Sequence, residues 1–204
     1  MAERYRRHGA LAHFGLEARA SAAAPQAQVM LGECPMRGLL VLRGDAGAAG
    51  FRGAVSTVLG IEPVVEPLTS ARKRDLSMLW LGPDEWLVVT PDRRVARIEG
   101  ALRDALEGQH AALTDVSHSR TILALSGPEA RAVLAKGCPL DFHPRVFEPG
   151  RCAQSRLAKC QALIHQTDAA PTFEIHVNRS FAQYAWMWLE DAGKEFGVGI
   201  MPAA

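Results

Sequence analysis

The sequence has few of the groups that build a self-sufficient catalytic centre. Its 204 residues include four cysteines, Cys34, Cys138, Cys152 and Cys160, and no two stand as C-x-x-C. A zinc knuckle or a thioredoxin-type dithiol needs that spacing, so both are excluded. His118, His143, His165 and His176 form no i, i+4 pair, and Cys138 with His143 finds no second pair. A four-ligand metal site is therefore not expected. The run Gly44-Asp-Ala-Gly-Ala-Ala-Gly50 lacks the Lys-Ser/Thr of a P-loop and the G-x-G-x-x-G of a dinucleotide loop, and so reads as a turn into a helix. A G-x-S-x-G nucleophile elbow is missing. No segment approaches the roughly 20 apolar residues of a membrane span. The net charge of +1 gives no broad field for nucleic acid or an anionic membrane. Unpaired thiols and a charged N-terminus without an apolar core predict a cytoplasmic location.

What the sequence does have is an internal echo. Arg120-Thr-Ile-Leu-Ala-Leu-Ser-Gly127 aligns without gaps on Arg37-Gly-Leu-Leu-Val-Leu-Arg-Gly44. Each apolar run leads to a helix-like stretch, ending near Gly60 or Gly137, and then to a proline, Pro63 or Pro139. Such self-similarity points to two related units, about 29–110 and 111–204, packed as one domain. Residues 1–28 form an N-terminal arm outside the core, basic at first and Ala-rich later, with Leu11, Phe14 and Leu16 as anchors.

Local patterns give each unit the order strand, helix, hairpin, helix. The first has a buried strand over 39–42, a helix over 51–59 and a hairpin of 76–81 with 86–90 across Gly82-Pro83-Asp84-Glu85. Its second helix carries Val95, Ile98, Leu102 and Leu106, with Asp92 as N-cap. The second unit has a strand over 121–125, a helix over 128–136 and a proline-containing connection over 139–150. A strand follows with Ala158, Cys160, Ala162 and Ile164 inward, then its partner with Phe173, Ile175 and Val177 inward and Glu174 and His176 outward. The last helix opens on a capping box, Ser180 with Gln183, and its apolar face is Phe181, Tyr184, Ala185, Trp188, Leu189, Ala192 and Phe196. The class is α+β, with tandem strand-helix-hairpin-helix units about a pseudo-twofold axis.

Ser117 beside His118 suggests a nucleophile with its base, but neighbours on a strand point to opposite faces. Asp115 and Ser117 are expected to hydrogen-bond locally. Asp115, His118 and Arg120 are the best polar candidates for a pocket between the units, at the start of a strand. Trp186 and Met187 fall off the expected helix face, and exposed Trp is enriched at interfaces. Together with Phe14 of the arm they are the candidate partner contacts.

Five segments carry a family resemblance: Trp80-Leu-Gly-Pro-Asp-Glu-Trp-Leu87, Asp115-Val-Ser-His-Ser-Arg120, Leu125-Ser-Gly-Pro-Glu-Ala130, Gly137-Cys-Pro-Leu-Asp141 and Arg179-Ser-Phe-Ala182. Over roughly residues 30–200 the chain resembles the gamma subunits of heterotetrameric sarcosine oxidase. It is similar, more broadly, to the folate-binding fold of aminomethyltransferases. The resemblance implies a non-catalytic assembly subunit, with alpha, beta and delta subunits as partners. It places FAD, FMN, NAD and tetrahydrofolate on those partners. The complex demethylates sarcosine oxidatively to glycine, with one-carbon transfer to tetrahydrofolate. The alternative is a free-standing folate-binding protein of one-carbon or iron–sulfur metabolism. Lys136-Gly-Cys138 begins like the motif of the iron–sulfur relative, but Pro139-Leu140-Asp141 follows.

Overall fold

A computed structural model describes residues 8–20, 26–34 and 36–201. In chain order these form a short helix α1 (Leu16–Ala20), strands β1 (Val29–Glu33) and β2 (Arg37–Gly44), helix α2 (Ala49–Leu59) and strands β3 (Ser70–Lys73), β4 (Leu76–Gly82) and β5 (Glu85–Pro91). Helix α3 (Val95–Ala105), strands β6 (Ala111–Asp115) and β7 (Arg120–Ser126) and helix α4 (Ala130–Ala135) follow. Strands β8 (Cys152–Leu157), β9 (Cys160–Asp168) and β10 (Thr172–Asn178), helix α5 (Ala182–Gly193) and strand β11 (Val198–Ile200) complete them. Among the described residues no helix is long and apolar enough to cross a membrane.

The strands form two sheets, β3-β4-β5-β2-β6 and β11-β1-β7-β10-β9-β8, and all neighbours are antiparallel except β1 with β11. Alternation sends successive side chains to opposite faces. On β2, Leu40 and Leu42 pack with Phe51, Val55 and Leu59 of α2 and Ile98 and Leu102 of α3. On β7, Leu123 and Leu125 pack with Val133 and Leu134 of α4 and Trp186 and Leu189 of α5. Leu39, Leu79, Leu87, Ile122, Cys152 and Leu163 point the other way and pack between the sheets. The layers are therefore helix, sheet, sheet, helix. This is a mixed α+β architecture.

Each sheet contains one strand that the chain order would assign elsewhere. β1 immediately precedes β2 but pairs with β7, and β6 immediately precedes β7 but pairs with β2. The sheets are also stitched along one edge. Thr69 bridges Arg151, the amide and the hydroxyl of Ser70 both donate to the Gly150 carbonyl at 2.8 Å, and the Cys152 amide donates to the Leu68 carbonyl at 2.9 Å.

The six strands expected from pattern are present, while β1, β3, β6, β8 and β11 add to them. Edge strands such as β3 and β6 bury little, so they carry no clean alternation. Ala158, expected in a strand, lies in the two-residue turn between β8 and β9, with φ of 51°. Its counterpart is Arg74, φ 57°, between β3 and β4; such hairpin turns need a positive φ. Asp92 is not a helix N-cap but opens a 3-10 turn, Asp92–Arg94, ahead of α3. Ser180 likewise lies in a 3-10 turn, Arg179–Phe181, and no side chain caps α5. Gly127 has φ of 110°, and a Cβ there would stand 2.3 Å from the Gln28 carbonyl oxygen, so the Ser-Gly-Pro segment needs glycine for close approach to the chain before β1.

One buried and one half-buried polar group pin the long connections. The Trp86 indole N–H donates to the Val64 carbonyl at 2.7 Å. Arg131 donates to the carbonyls of Phe142 and Phe147 and to Gln166 Oε1, with its guanidinium 5.5 Å from the Phe173 ring centre.

The buried face of α5 is Ala182, Ala185, Trp186, Leu189 and Gly193. Trp186 is 0% exposed, and Trp188 is only half-buried, lying against Gly137. The expected face was turned by about one residue, roughly 100°. Trp186 is a core residue, which corrects its placement off the core face. Truncating such a side chain removes burial and leaves a cavity. Trp186→Ala should cost about 3–5 kcal/mol of stability in urea unfolding, and Trp188→Ala should cost clearly less.

Candidate functional site

The three polar candidates do not start one strand together. Asp115 ends β6 in one sheet, His118 lies in the turn that follows, and Arg120 begins β7 in the other sheet. The turn joins the two sheets, so these residues do lie beside their junction. Asp115 Oδ1 accepts the Ser117 amide at 2.8 Å and the Ser117 hydroxyl. That hydroxyl oxygen in turn accepts the Leu39 amide at 2.9 Å. This arrangement is an Asx-type turn that ties β6 to β2, as local hydrogen bonding predicted. Ser117 is thus engaged with Asp115 and Leu39, and His118 is exposed. No hydrogen bond from the serine to the imidazole is among its contacts, so the pair is not an activated nucleophile.

His118 and Arg120 line a small recess with Glu33, Cys34, Arg37 and Arg179; its volume is about 30 Å³. Asp115 is not part of it. Pockets for drug-sized ligands run to about 300–1,000 Å³, so a pterin does not fit this recess. Glu33 is well bonded: Oε1 accepts the amides of Ala10 and Leu11 and the Thr121 hydroxyl at 2.7, 3.3 and 3.0 Å, and Oε2 accepts the Leu11 amide at 3.2 Å. It fastens the N-terminal segment, and Leu11 is buried in the core.

The largest departure from expectation lies deeper. Glu174 and His176 were assigned to a wet face, yet both point between the sheets from β10, and His176 is 1% exposed. His165 joins them from β9. Glu174 Oε2 lies 3.6 Å from His165 Nδ1 and 3.9 Å from His176 Nε2. His165 Nε2 meets the Ser70 hydroxyl at 3.0 Å, across the stitched edge. Both nitrogens of His176 and Nδ1 of His165 lack hydrogen-bond partners. The signal in the sequence was weak here, because an alternation with Glu and His reads as solvated by default.

Burial pushes the His176 imidazole down from 6.5 to about 4; Glu174 opposes this, while His165 and Arg120 add to it. Burial alone would raise the Glu174 carboxyl, but the His165 imidazole beside it and the charges of His176 and Arg37 outweigh it and hold it low. Burial pushes the Cys34 thiol up to about 12, so it is no nucleophile. Among the described residues no group of three His, Cys, Asp or Glu side chains could hold a metal ion. The Gly44–Gly50 segment turns from β2 into α2.

Of the candidate partner contacts, Phe14 packs edge-on against Trp186 with ring centres 6.3 Å apart, so it covers the chain's own core. Met187 is 55% exposed.

The buried His176 gives a pH dependence of defined sign. The unfolded chain takes up a proton on this group near pH 6.5, and the folded chain only near pH 4. Between these values the unfolded state binds more protons, so acid favours unfolding. Stability should be full above pH 6.5 and fall as the pH drops toward 4, by on the order of 3 kcal/mol. Urea titrations across that window check this, and His176→Leu should show a flatter profile.

The family described as "Sarcosine oxidase, gamma subunit family" matches residues 43–195. The sarcosine oxidase subunit gamma of an Arthrobacter species is 35% identical over 159 residues, covering 78% of this chain and 75% of that one. A chain of the heterotetrameric sarcosine oxidase from Corynebacterium sp. U-96, solved with pyrrole 2-carboxylate, superposes with a TM-score of 0.83 at 30% identity, covering 93% of this chain and 96% of that one. The glycine cleavage aminomethyltransferase T of Bartonella henselae shares the fold at a TM-score of 0.64 and 17% identity, over 92% of this chain and 51% of its own. With a family match across most of its length and the fold retained over nearly all of it, the chain belongs to the sarcosine oxidase gamma subunit family.

Proposed function

We propose that this chain is a non-catalytic assembly subunit of a heterotetrameric sarcosine oxidase. Its partners are the alpha, beta and delta subunits, which carry FAD, FMN, NAD and tetrahydrofolate, in the cytoplasm. The observation that carries this reading is the near-complete coverage of both chains in the superposition on the Corynebacterium complex. The chemistry of the described residues is consistent with this role: the recess is too small for a folate ring, Ser117 is held by structural hydrogen bonds, and the raised Cys34 thiol is unreactive.

We also infer that residues 29–110 and 111–204 are two units related by a pseudo-twofold axis. Both sheets share one connectivity, β6-β2-β5-β4-β3 in one and β1-β7-β10-β9-β8 in the other, and this supports the duplication. On that division the first strand of each unit completes the sheet of the other. Residues 1–28 act as an arm, whose described part docks on the second sheet through Leu11 and Glu33; residues 1–7 and 21–25 lie outside the described structure.

Co-expression of the tagged chain with its genomic neighbours tests assembly. Three further chains should co-purify with a flavin absorption band that sarcosine bleaches. A colourless single chain that binds tetrahydrofolate would instead establish the free-standing folate protein. Met187, on the exposed side of α5, is the remaining candidate contact. Met187→Glu should reduce recovery of the complex several-fold while leaving the melting temperature of the isolated chain within a few degrees.

A further inference from the structure

The recess beside the β6–β7 turn has a donor set out of proportion to its size. Arg37, Arg120 and Arg179 enter its wall, with His118 at its edge and Glu33 the single carboxylate among the lining residues. Glu33 makes no ion pair with these arginines among the described residues; its oxygens accept the amides of Ala10 and Leu11 and the Thr121 hydroxyl. Arg37 Nε is buried and has no hydrogen-bond partner. Arg120 is half-buried and makes no ion pair with the described residues; Glu85 favours its charge from beyond ion-pair distance. Arg179 donates one N–H to the His8 carbonyl at 2.8 Å. Glu174, 3.6 and 3.9 Å from the two imidazoles, feels the Arg37 charge but forms no ion pair with Arg37 among the described residues.

A guanidinium presents several N–H groups in a fixed plane and matches a carboxylate with two parallel bonds. Leaving such donors desolvated without an acceptor is costly. A volume of about 30 Å³ admits a group of a few atoms. We propose that this recess binds a single carboxylate group between Arg37 and Arg120. Two sources have that chemistry: a free small monocarboxylate, or an Asp or Glu side chain of another subunit. The second source rests on the assembly reading above, and the first does not.

Arginine footprinting with phenylglyoxal, read by peptide mass spectrometry, separates the outcomes. The purified full-length chain is labelled in sodium acetate or in sodium chloride at equal ionic strength, and the assembled complex is labelled in chloride. Exposed Arg97 on α3 serves as the control. Joint, saturable protection of Arg37 and Arg120 by acetate, at least five-fold beyond chloride and with Arg97 unchanged, identifies a free-monocarboxylate site. Protection confined to the complex identifies a partner carboxylate, provided that Arg120→Lys still assembles and Arg120→Gln does not. If Arg120→Gln assembles as well as Arg120→Lys, the arginine is merely covered and the proposal fails. It also fails if acetate protects no better than chloride and any complex leaves both arginines as reactive as in the free chain. The acetate comparison is readable even where no complex forms, so loss of the assembly reading and loss of this site are separate results.

Discussion

The packing of two sheets face to face, each completed by a strand from the other half of the chain, is the constraint on which the structure depends. β1 must leave the neighbourhood of β2 and reach β7, while β6 leaves β7 and reaches β2. Neither sheet can therefore be completed without chain from beyond its own run of strands, helices and hairpin. The inner faces are then obliged to bury what they carry, since no solvent layer separates Leu39 and Leu87 from Ile122 and Leu163. Burial of this kind is the main favourable term in folding. Here it is spread over two helix–sheet cores and one sheet–sheet seam.

That seam is not purely apolar. His165, Glu174 and His176 occupy it as a cluster, and several of their polar atoms lack partners. Buried polar groups in this state cost stability. The cluster is joined to the stitched edge through Ser70, where main-chain bonds bring β3 and β8 together. The polar and backbone connections between the sheets therefore reinforce one another. The same seam continues to Arg37 and Arg120, whose charges act on Glu174 and His176. The recess at the β6–β7 turn is thus the solvent-facing end of an internal polar seam.

Side-chain hydrogen bonds tie the irregular parts of this gamma-family chain to its two sheets. Its long connections are pinned by Trp86 and Arg131, and its N-terminal segment is fastened by Glu33. Aromatic side chains that a surface reading would offer to partners are used internally. Trp186 lies under α5 and Phe14 covers it.

The sequence by itself determined the elements with strong local periodicity. The apolar runs of β2 and β7, the hairpin β4–β5, the helix face Val95–Ile98–Leu102 and the strand Phe173–Ile175–Val177 were all legible, because each buries one face against a neighbour close in the chain. The Asp115–Ser117 turn was legible too, since short polar side chains bond their own backbone. The motifs shared with gamma subunits carried the family. Only the tertiary structure decided the remainder. The helical period of α5 admits either Trp186 or Trp188 on its buried stripe, and the sheet beneath selected Trp186. The alternation of β10 marks two faces but not which is wet, and a second sheet buried His176 and half-buried Glu174. Strands β1 and β6 find their partners far along the chain, so no local window contains the pairing that defines them. The recess likewise brings together Arg37, Arg120 and Arg179 from three distant segments, and long-range contact of that kind leaves no spacing in the sequence to read.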